Sequence, residues 1–374
     1  MPRLLLSLAM FVLSNVALAQ SLSLPPLASK SWLLLDVAAN QLIASQGAQD
    51  RIEPASLTKL MTAYVVFEAL RDRKLTLDQQ VPVSTRAWKT SGSRMFIDLK
   101  KPVTVDELLH GMIIQSGNDA AVALAEVVAG TEDGFAELMN SEAKRIGLTG
   151  SHFVNASGLP DPQHYSTAFD LAVIASAIIR EFPDRYGLYS IKEYRYNGIT
   201  QPNRNRLLWL DPAVDGLKTG HTDSAGYCLI ASAKRTDRRM LAVVLNAPSN
   251  AVRTQEAQLL LNFGFQMFDT IRVQEKDKPV STLTLWKGKS PTVTAGVAQD
   301  VVVAIPRGSN DKLTADLTSQ QPLVAPIARG QRLGTLKVSY EGKVVGEYPV
   351  IAREEVPVAG LAGRMWDTIR LWMK

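Results

Sequence analysis

Three short polar strings, Ser56-Leu57-Thr58-Lys59, Ser116-Gly117-Asn118 and Lys218-Thr219-Gly220, stand at wide intervals along this chain. A fold that uses them together must gather them at one cleft. Ser56 and Lys59 lie three residues apart at the start of an apolar-periodic segment, so a helix there puts both on one face. A serine hydroxyl is a poor nucleophile until a neighbouring base takes its proton, and an unprotonated lysine is such a base. Pro54 opens that helix, and Leu60, Met61, Tyr64, Val65, Phe67 and Leu70 form its apolar face. The polar Gln115-Ser116-Gly117-Asn118-Asp119 interrupts a helical pattern running from Val105 to Val128, which predicts a loop between two helices. Lys218-Thr219-Gly220 ends a strand pattern, Val214 to Thr219.

The surrounding elements imply one mixed α/β unit. Ser31 to Ser45 reads as a hairpin turning near Ala39-Asn40. Helices follow at Asp133 to Ile146 and Phe169 to Arg180, then strands at Glu193 to Tyr196, Val214 to Thr219, Tyr227 to Ala233 and Met240 to Leu245. Thr254 to Phe268 closes the unit as a helix. Strands at both ends with helices between them predict that the hairpin returns to the late sheet. Gln274-Glu275-Lys276-Asp277-Lys278-Pro279 is charged and ends in proline, which predicts a linker. Beyond it, Val280 to Ile351 is short alternating β segments separated by turns, a small all-β domain without chemistry of its own. The expected domains are therefore 20–273, 274–356 and a terminal element, 357–374.

In that terminal element Val358, Leu361, Ala362, Met365, Trp366, Ile369, Trp372 and Met373 share one helical face, opposite Arg364, Asp367, Arg370 and Lys374. Two tryptophans beside an apolar stripe, with cations opposite, describe a helix lying in a membrane surface rather than packed on the protein's own body. The other end reads as an export signal: Arg3, an apolar run from Leu4 to Val16, and Ala17-Leu18-Ala19 as the cleavage site closing residues 1–19. An exported chain of 374 residues with one cysteine, Cys228, can form no internal disulfide. Cys228 sits in an apolar run and is expected as a buried small hydrophobe. The net charge of +5 is modest and evenly spread, which argues against a nucleic-acid partner. The four histidines, at 110, 152, 164 and 221, are scattered, and neither a metal-ligand spacing nor a Walker-type glycine loop occurs. No metal or other cofactor is expected.

The residues suggest acyl transfer. Ser56 would attack a carbonyl carbon and form an ester. Lys59 must be neutral to take its proton, so its pKa must be depressed by desolvation, by the helix N-terminus and by the second cation Lys218. Ser116 would relay a proton to the leaving amine, and Asn118 would hold the substrate amide and the lysine. Thr219 and Gly220 fall on an expected edge strand, where an extended substrate can pair. Lys218, Thr219, Thr222 and a later cation would suit a free carboxylate. The backbone N–H groups of Ser56 and His221 are the natural oxyanion hole.

Pro54-Ala55-Ser56-Leu57-Thr58-Lys59, Gln115-Ser116-Gly117-Asn118-Asp119-Ala120, Asn203-Arg204-Asn205 before Leu207-Leu208-Trp209, and Val214-Asp215-Gly216-Leu217-Lys218-Thr219-Gly220-His221-Thr222 carry a family resemblance. With the trailing β domain and terminal helix, they resemble the low-molecular-mass penicillin-binding proteins, serine-type D-Ala-D-Ala carboxypeptidases, over almost the whole chain. The resemblance implies a penicilloyl-serine-transferase fold of α/β (α+β) class, an antiparallel sheet with helices. It implies removal of the last D-alanine from peptidoglycan stem pentapeptides, an acyl-enzyme on Ser56, and acylation by β-lactams such as penicillin. It also implies a place on the periplasmic face of the inner membrane. Arg253 falls where this family carries an arginine for the terminal carboxylate. Gly117, in place of the aspartate of S-D-N, suits the carboxypeptidase branch. A β-lactamase would need a glutamate-positioned water; Glu193-x-x-x-Asn197 has that spacing but lies in an alternating strand pattern. A non-catalytic peptidoglycan-binding scaffold is the alternative from another class, and sequence does not separate carboxypeptidase from endopeptidase.

Overall fold

The structure, a computed structural model, describes residues 24–373. The expected signal segment and Lys374 lie outside the described residues.

Strands β1 (Ser31–Asp36) and β2 (Gln41–Gln46) form the expected hairpin. Three late strands, β3 (Val214–Thr222), β4 (Gly226–Arg235) and β5 (Arg238–Ala247), complete an antiparallel sheet in the order β2-β1-β5-β4-β3. The hairpin does return to the late sheet: Trp32 pairs with Val244 and Leu34 with Ala242. All six residues of β1 are buried because both sheet faces are covered. Leu33 and Leu35 join Leu241, Val243 and Leu245 in the larger core, whereas Trp32 and Leu34 join Met240, Ala242 and Val244 in the smaller. That period of two is the strand's own geometry dividing one sequence between two cores.

Helices α1 (Lys59–Arg71), α2 (Val105–Ile114), α3 (Asn118–Ala129), α4 (Glu132–Arg145) and α5 (Ala168–Glu181) fill the side of the larger core. The single helix α6 (Asn250–Met267) covers the other face with Ala257, Leu260, Leu261 and Phe265. Two local expectations change. Ser56 lies not in α1 but in a 3-10 turn, Ala55–Thr58, that precedes it. Helix α1 is also not amphipathic: every residue from Lys59 to Phe67 is buried, because α2 to α5 all pack against it. A helix enclosed on all sides carries little periodic signal beyond its apolar content.

The expected linker is a turn. Helix α6 runs straight into β6 (Phe268–Gln274), which pairs with β7 (Val301–Pro306), so the all-β part starts at Phe268. The charged 275–278 stretch closes on itself, with Lys278 Nζ 2.9 Å from Glu275 Oε1. A six-stranded sheet follows, in spatial order Leu313–Ser319, Arg332–Tyr340, Lys343–Ala352, Thr292–Val297, Pro279–Trp286 and Leu323–Val324. The Gln41 side chain joins the two parts by bonding both backbone groups of Ala304 at 3.0 Å.

Helix α7 (Leu361–Trp372) begins three residues later than expected, since Val358 bridges to Gly288. Asp367 accepts from the Lys287 N–H at 2.6 Å, and the Arg370 guanidinium lies 5.4 Å from the Trp286 ring centre. The polar face therefore meets the β domain, while Leu361, Met365, Trp366, Ile369 and Met373 are exposed and Trp372 is 90% exposed. No helix among the described residues is long and apolar enough to cross a membrane.

Candidate active site

The nucleophile turn, the α2–α3 junction and the edge strand β3 meet at one cavity of about 360 Å³. Ser56, Ser116, Arg204, Thr219, His221 and Arg253 are among its lining residues. Ser56 is reached through Ala55, which sits at φ +48°, a conformation that non-glycine residues seldom adopt and that here projects the turn. Ser116 is likewise at φ +66°, in the expected loop between α2 and α3. Strand β3 is the sheet edge, and Gly220 allows it to approach the turn: a Cβ there would lie 3.0 Å from the Pro54 carbonyl oxygen and 3.3 Å from Ala55 Cβ.

Lys59 is fully buried, and its Nζ lies 3.0 Å from Ser56 Oγ, 2.7 Å from Asn118 Oδ1 and 2.6 Å from the Ser157 carbonyl oxygen. Carbonyl oxygens only accept. A neutral amine therefore directs its two N–H groups at Asn118 and Ser157 and leaves its lone pair for the Ser56 hydroxyl. Burial lowers the Lys59 pKa to about 7, with the Arg204 charge adding to the shift and Asp119 opposing it. Lys218, also buried, donates to Ser116 Oγ at 2.9 Å and to the Thr219 carbonyl at 3.0 Å. Burial first, then the charges of Lys59, Arg204 and Arg253, hold it well below the usual lysine range. The cation acting on Lys59 beyond burial is thus Arg204, where the sequence suggested Lys218.

Asn118 is more committed than expected. Its Oδ1 takes Lys59, its Nδ2 donates to the Ser91 carbonyl at 2.7 Å, and its backbone N–H donates to the Ser93 carbonyl at 2.6 Å. The bonds to Ser91 and Ser93 tie the 91–97 loop to the rim of the cavity. Asp119, fully buried, completes that anchor by accepting from the backbone N–H groups of Met95, Phe96 and Ile97 at 2.9, 2.8 and 3.2 Å.

Arg253 is buried, and its Nη1 donates to the carbonyls of Gly220 and Cys228 at 2.8 and 3.1 Å, which fixes the guanidinium against β3 and β4. Burial lowers its pKa to about 10. Cys228 is buried, as its apolar run predicts, and burial pushes its thiol up to about 11. Thr222 is the one sequence candidate placed away from the cavity. Its hydroxyl donates to Glu53 at 2.8 Å and accepts from the Ala225 N–H at 2.9 Å. The Glu193/Asn197 pair lies on a separate hairpin, with Asn197 Nδ2 bonded to the Phe96 carbonyl at 3.0 Å.

Four contributors escaped the sequence reading. Ser157 supplies only a backbone carbonyl, which no side-chain pattern reveals. It is held by the turn at Gly158 (φ +82°), where a Cβ would sit 1.8 Å from the Ala55 oxygen. Arg204 lies inside Asn203-Arg204-Asn205, and Asp119 directly follows Asn118, so both stood within recognisable strings without a role. His164 lies 2.7 Å from Thr58 Oγ1 through Nε2, while Nδ1 accepts from the Val154 N–H at 3.1 Å. Burial lowers its pKa to about 4, so a neutral ring braces the nucleophile turn.

Comparison with known proteins places the same residues in a family context. The family model described as D-alanyl-D-alanine carboxypeptidase matches residues 18–249, and that described as the C-terminal domain of penicillin-binding protein 5 matches residues 268–358. The chain is 40% identical over 372 residues to the D-alanyl-D-alanine carboxypeptidase DacC of Escherichia coli, covering 97% of this chain and 93% of the relative. Among solved structures, penicillin-binding protein 5 from Haemophilus influenzae superposes with a TM-score of 0.87 at 37% identity, over 90% of this chain and 99% of that one. Penicillin-binding protein D2 from Listeria monocytogenes, in its ampicillin-bound form, has a TM-score of 0.61 at 30% identity, over 65% of this chain and 100% of that one.

Proposed function

The chain belongs to the D-alanyl-D-alanine carboxypeptidase family, and from that premise we propose that it removes the terminal D-alanine from peptidoglycan stem pentapeptides through an acyl ester on Ser56. The observation that carries the assignment of roles is the Lys59 amine, enclosed by two carbonyl acceptors and 3.0 Å from Ser56 Oγ. With its pKa lowered to about 7 by burial, this amine reaches the neutral form far more readily than an exposed lysine, without any external base.

In the first half-reaction Ser56 Oγ attacks the penultimate D-alanine carbonyl carbon as its proton passes to Lys59 Nζ. The developing oxyanion is taken by the backbone N–H groups of Ser56 and His221, both at the cavity wall. The amide C–N bond then breaks, and the proton that Lys59 took from Ser56 passes by way of Ser116, whose oxygen is held by Lys218, to the leaving D-alanine nitrogen, which leaves Lys59 neutral again. In the second half water attacks the ester carbonyl as Lys59 takes its proton, the acyl C–Oγ bond breaks, and Lys59 returns the proton to Ser56 Oγ. The substrate backbone pairs with the open edge of β3 at Thr219 and Gly220. Arg253, Arg204 and Thr219 receive the terminal carboxylate; the Arg204 guanidinium lines the cavity with no hydrogen bond or ion pair among the described residues. Penicillin, which offers a carbonyl and a carboxylate at similar separation, acylates the same serine.

A peptide ending in D-Ala-D-Ala and its C-terminal amide, assayed in parallel, test this reading. Loss of charge-assisted bonds worth about 1.5–3 kcal/mol should slow the amide by roughly 10- to 150-fold in kcat/KM. Equal rates would remove the carboxylate clamp and favour an endopeptidase.

The exposed apolar face of α7 supports peripheral anchoring of an exported protein at the periplasmic face of the inner membrane. Trp366 and Trp372 lie on that face and would enter the headgroup boundary. Deleting residues 361–374 should release the protein from anionic liposomes in flotation while leaving hydrolysis of a soluble peptide unchanged. A truncated form that still floats would reject the anchor.

A further inference from the structure

A second cavity, of about 510 Å³, adjoins the catalytic one, and the two share Arg204, His221 and Arg253 as a common wall. Arg204 and Arg253 are the groups assigned above to the terminal carboxylate, so this cavity adjoins the residue that is released. Its chemistry is one-sided. Arg206 and Gln115 also line it, and no acidic residue does. Neither the Arg204 nor the Arg206 guanidinium has a hydrogen bond or ion pair among the described residues. Gln115 is 1% exposed, yet neither its Oε1 nor its Nε2 has a partner. Buried carboxamides are almost always satisfied, so an unpartnered one at a cavity wall marks a place where a ligand supplies the missing bonds.

We infer that this cavity receives the side chain of the released residue and is suited to terminal D-amino acids ending in a carboxylate or a carboxamide. Arg206 meets the charge, and Gln115 offers one donor pair and one acceptor to the same group. The inference rests on the reading of Ser56 as the acylated residue and of Arg204 and Arg253 as the carboxylate clamp. The chemistry is unchanged: the amide bond between the penultimate D-alanine carbonyl and the terminal nitrogen breaks, Ser56 holds the acyl group, and the protonated amine leaves with a different side chain. D-alanine, with only a methyl group, leaves the cavity unfilled.

The test is a set of stem peptides ending in D-Ala-D-Ala, D-Ala-D-Glu, D-Ala-D-Gln, D-Ala-D-Leu and D-Ala-D-Lys, with the released amino acid measured by mass spectrometry. D-Glu and D-Gln should leave with kcat/KM about tenfold above D-Leu and D-Lys, the scale of one charge-assisted bond. Arg206→Ala, at an exposed position, should cut D-Glu release by about tenfold while D-Ala release and labelling of Ser56 by fluorescent penicillin stay within about twofold. Gln115→Leu should lower D-Gln release in the same way. Equal release of D-Glu, D-Gln and D-Leu, alongside normal D-Ala release, overturns the side-chain pocket and leaves the catalytic reading standing. A preference that survives Arg206→Ala also overturns it. A wild type that neither releases D-alanine nor labels with penicillin overturns both.

Discussion

Ser56→Ala is expected to abolish covalent labelling by a fluorescent penicillin and to reduce release of D-alanine from a D-Ala-D-Ala peptide on the order of 10⁴-fold or more, the scale set by removing nucleophiles from serine hydrolases. The hydroxyl lies 3.0 Å from the buried Lys59 amine, whose pKa is lowered to about 7. The substitution removes one oxygen from a half-buried side chain, so the fold and the noncovalent binding of peptide should persist. Intact-mass spectrometry with benzylpenicillin reads the adduct directly. A full adduct on the alanine variant would transfer the nucleophile to another residue and sink the assignment.

The second large effect concerns Lys59. Lys59→Met keeps the length and most of the buried volume while deleting the base, and should slow acylation by roughly 10²- to 10⁴-fold, the range for a positioned general base. The pH dependence follows from the same residue. The active form is the neutral amine, so the wild-type acylation rate should fall as the pH drops through about 7. Burial disfavours the charged form, and the Arg204 cation disfavours it further. Arg204→Gln removes only the second contribution, so the limb of the acylation profile should move to higher pH while remaining below the pH at which an exposed lysine titrates. Stopped-flow acylation by a chromogenic cephalosporin, followed from mildly acidic to mildly alkaline pH, measures both. A flat profile in the wild type, or a limb that moves down in Arg204→Gln, would rule out Lys59 as the base.

Much of the site was legible because chemistry-bearing side chains cluster in short strings. Ser56 with Lys59, Ser116 with Asn118, and Lys218 with Thr219 each declare a local geometry through their spacing, and the strings converge as their order suggested. What remained hidden has a common cause. Ser157 acts through a carbonyl oxygen, a group every residue carries. Arg204 acts through space on the amine of Lys59, far earlier in the chain, and Asp119 holds the backbone N–H groups of a loop remote from it in sequence. The string does not reveal that the Thr222 hydroxyl is taken by Glu53, a residue remote in the chain.

The sequence by itself determined the order of elements, the candidate reacting groups and the amphipathic terminal helix, because period, spacing and residue type are local properties. Tertiary structure alone decided the protonation of Lys59, which depends on complete burial and on a cation brought from a distant segment. It also decided that α1 is enclosed on all sides, and that the polar rather than the apolar face of α7 meets the β domain. Each of these is a matter of what surrounds a group, and the surroundings are assembled from residues remote in the chain.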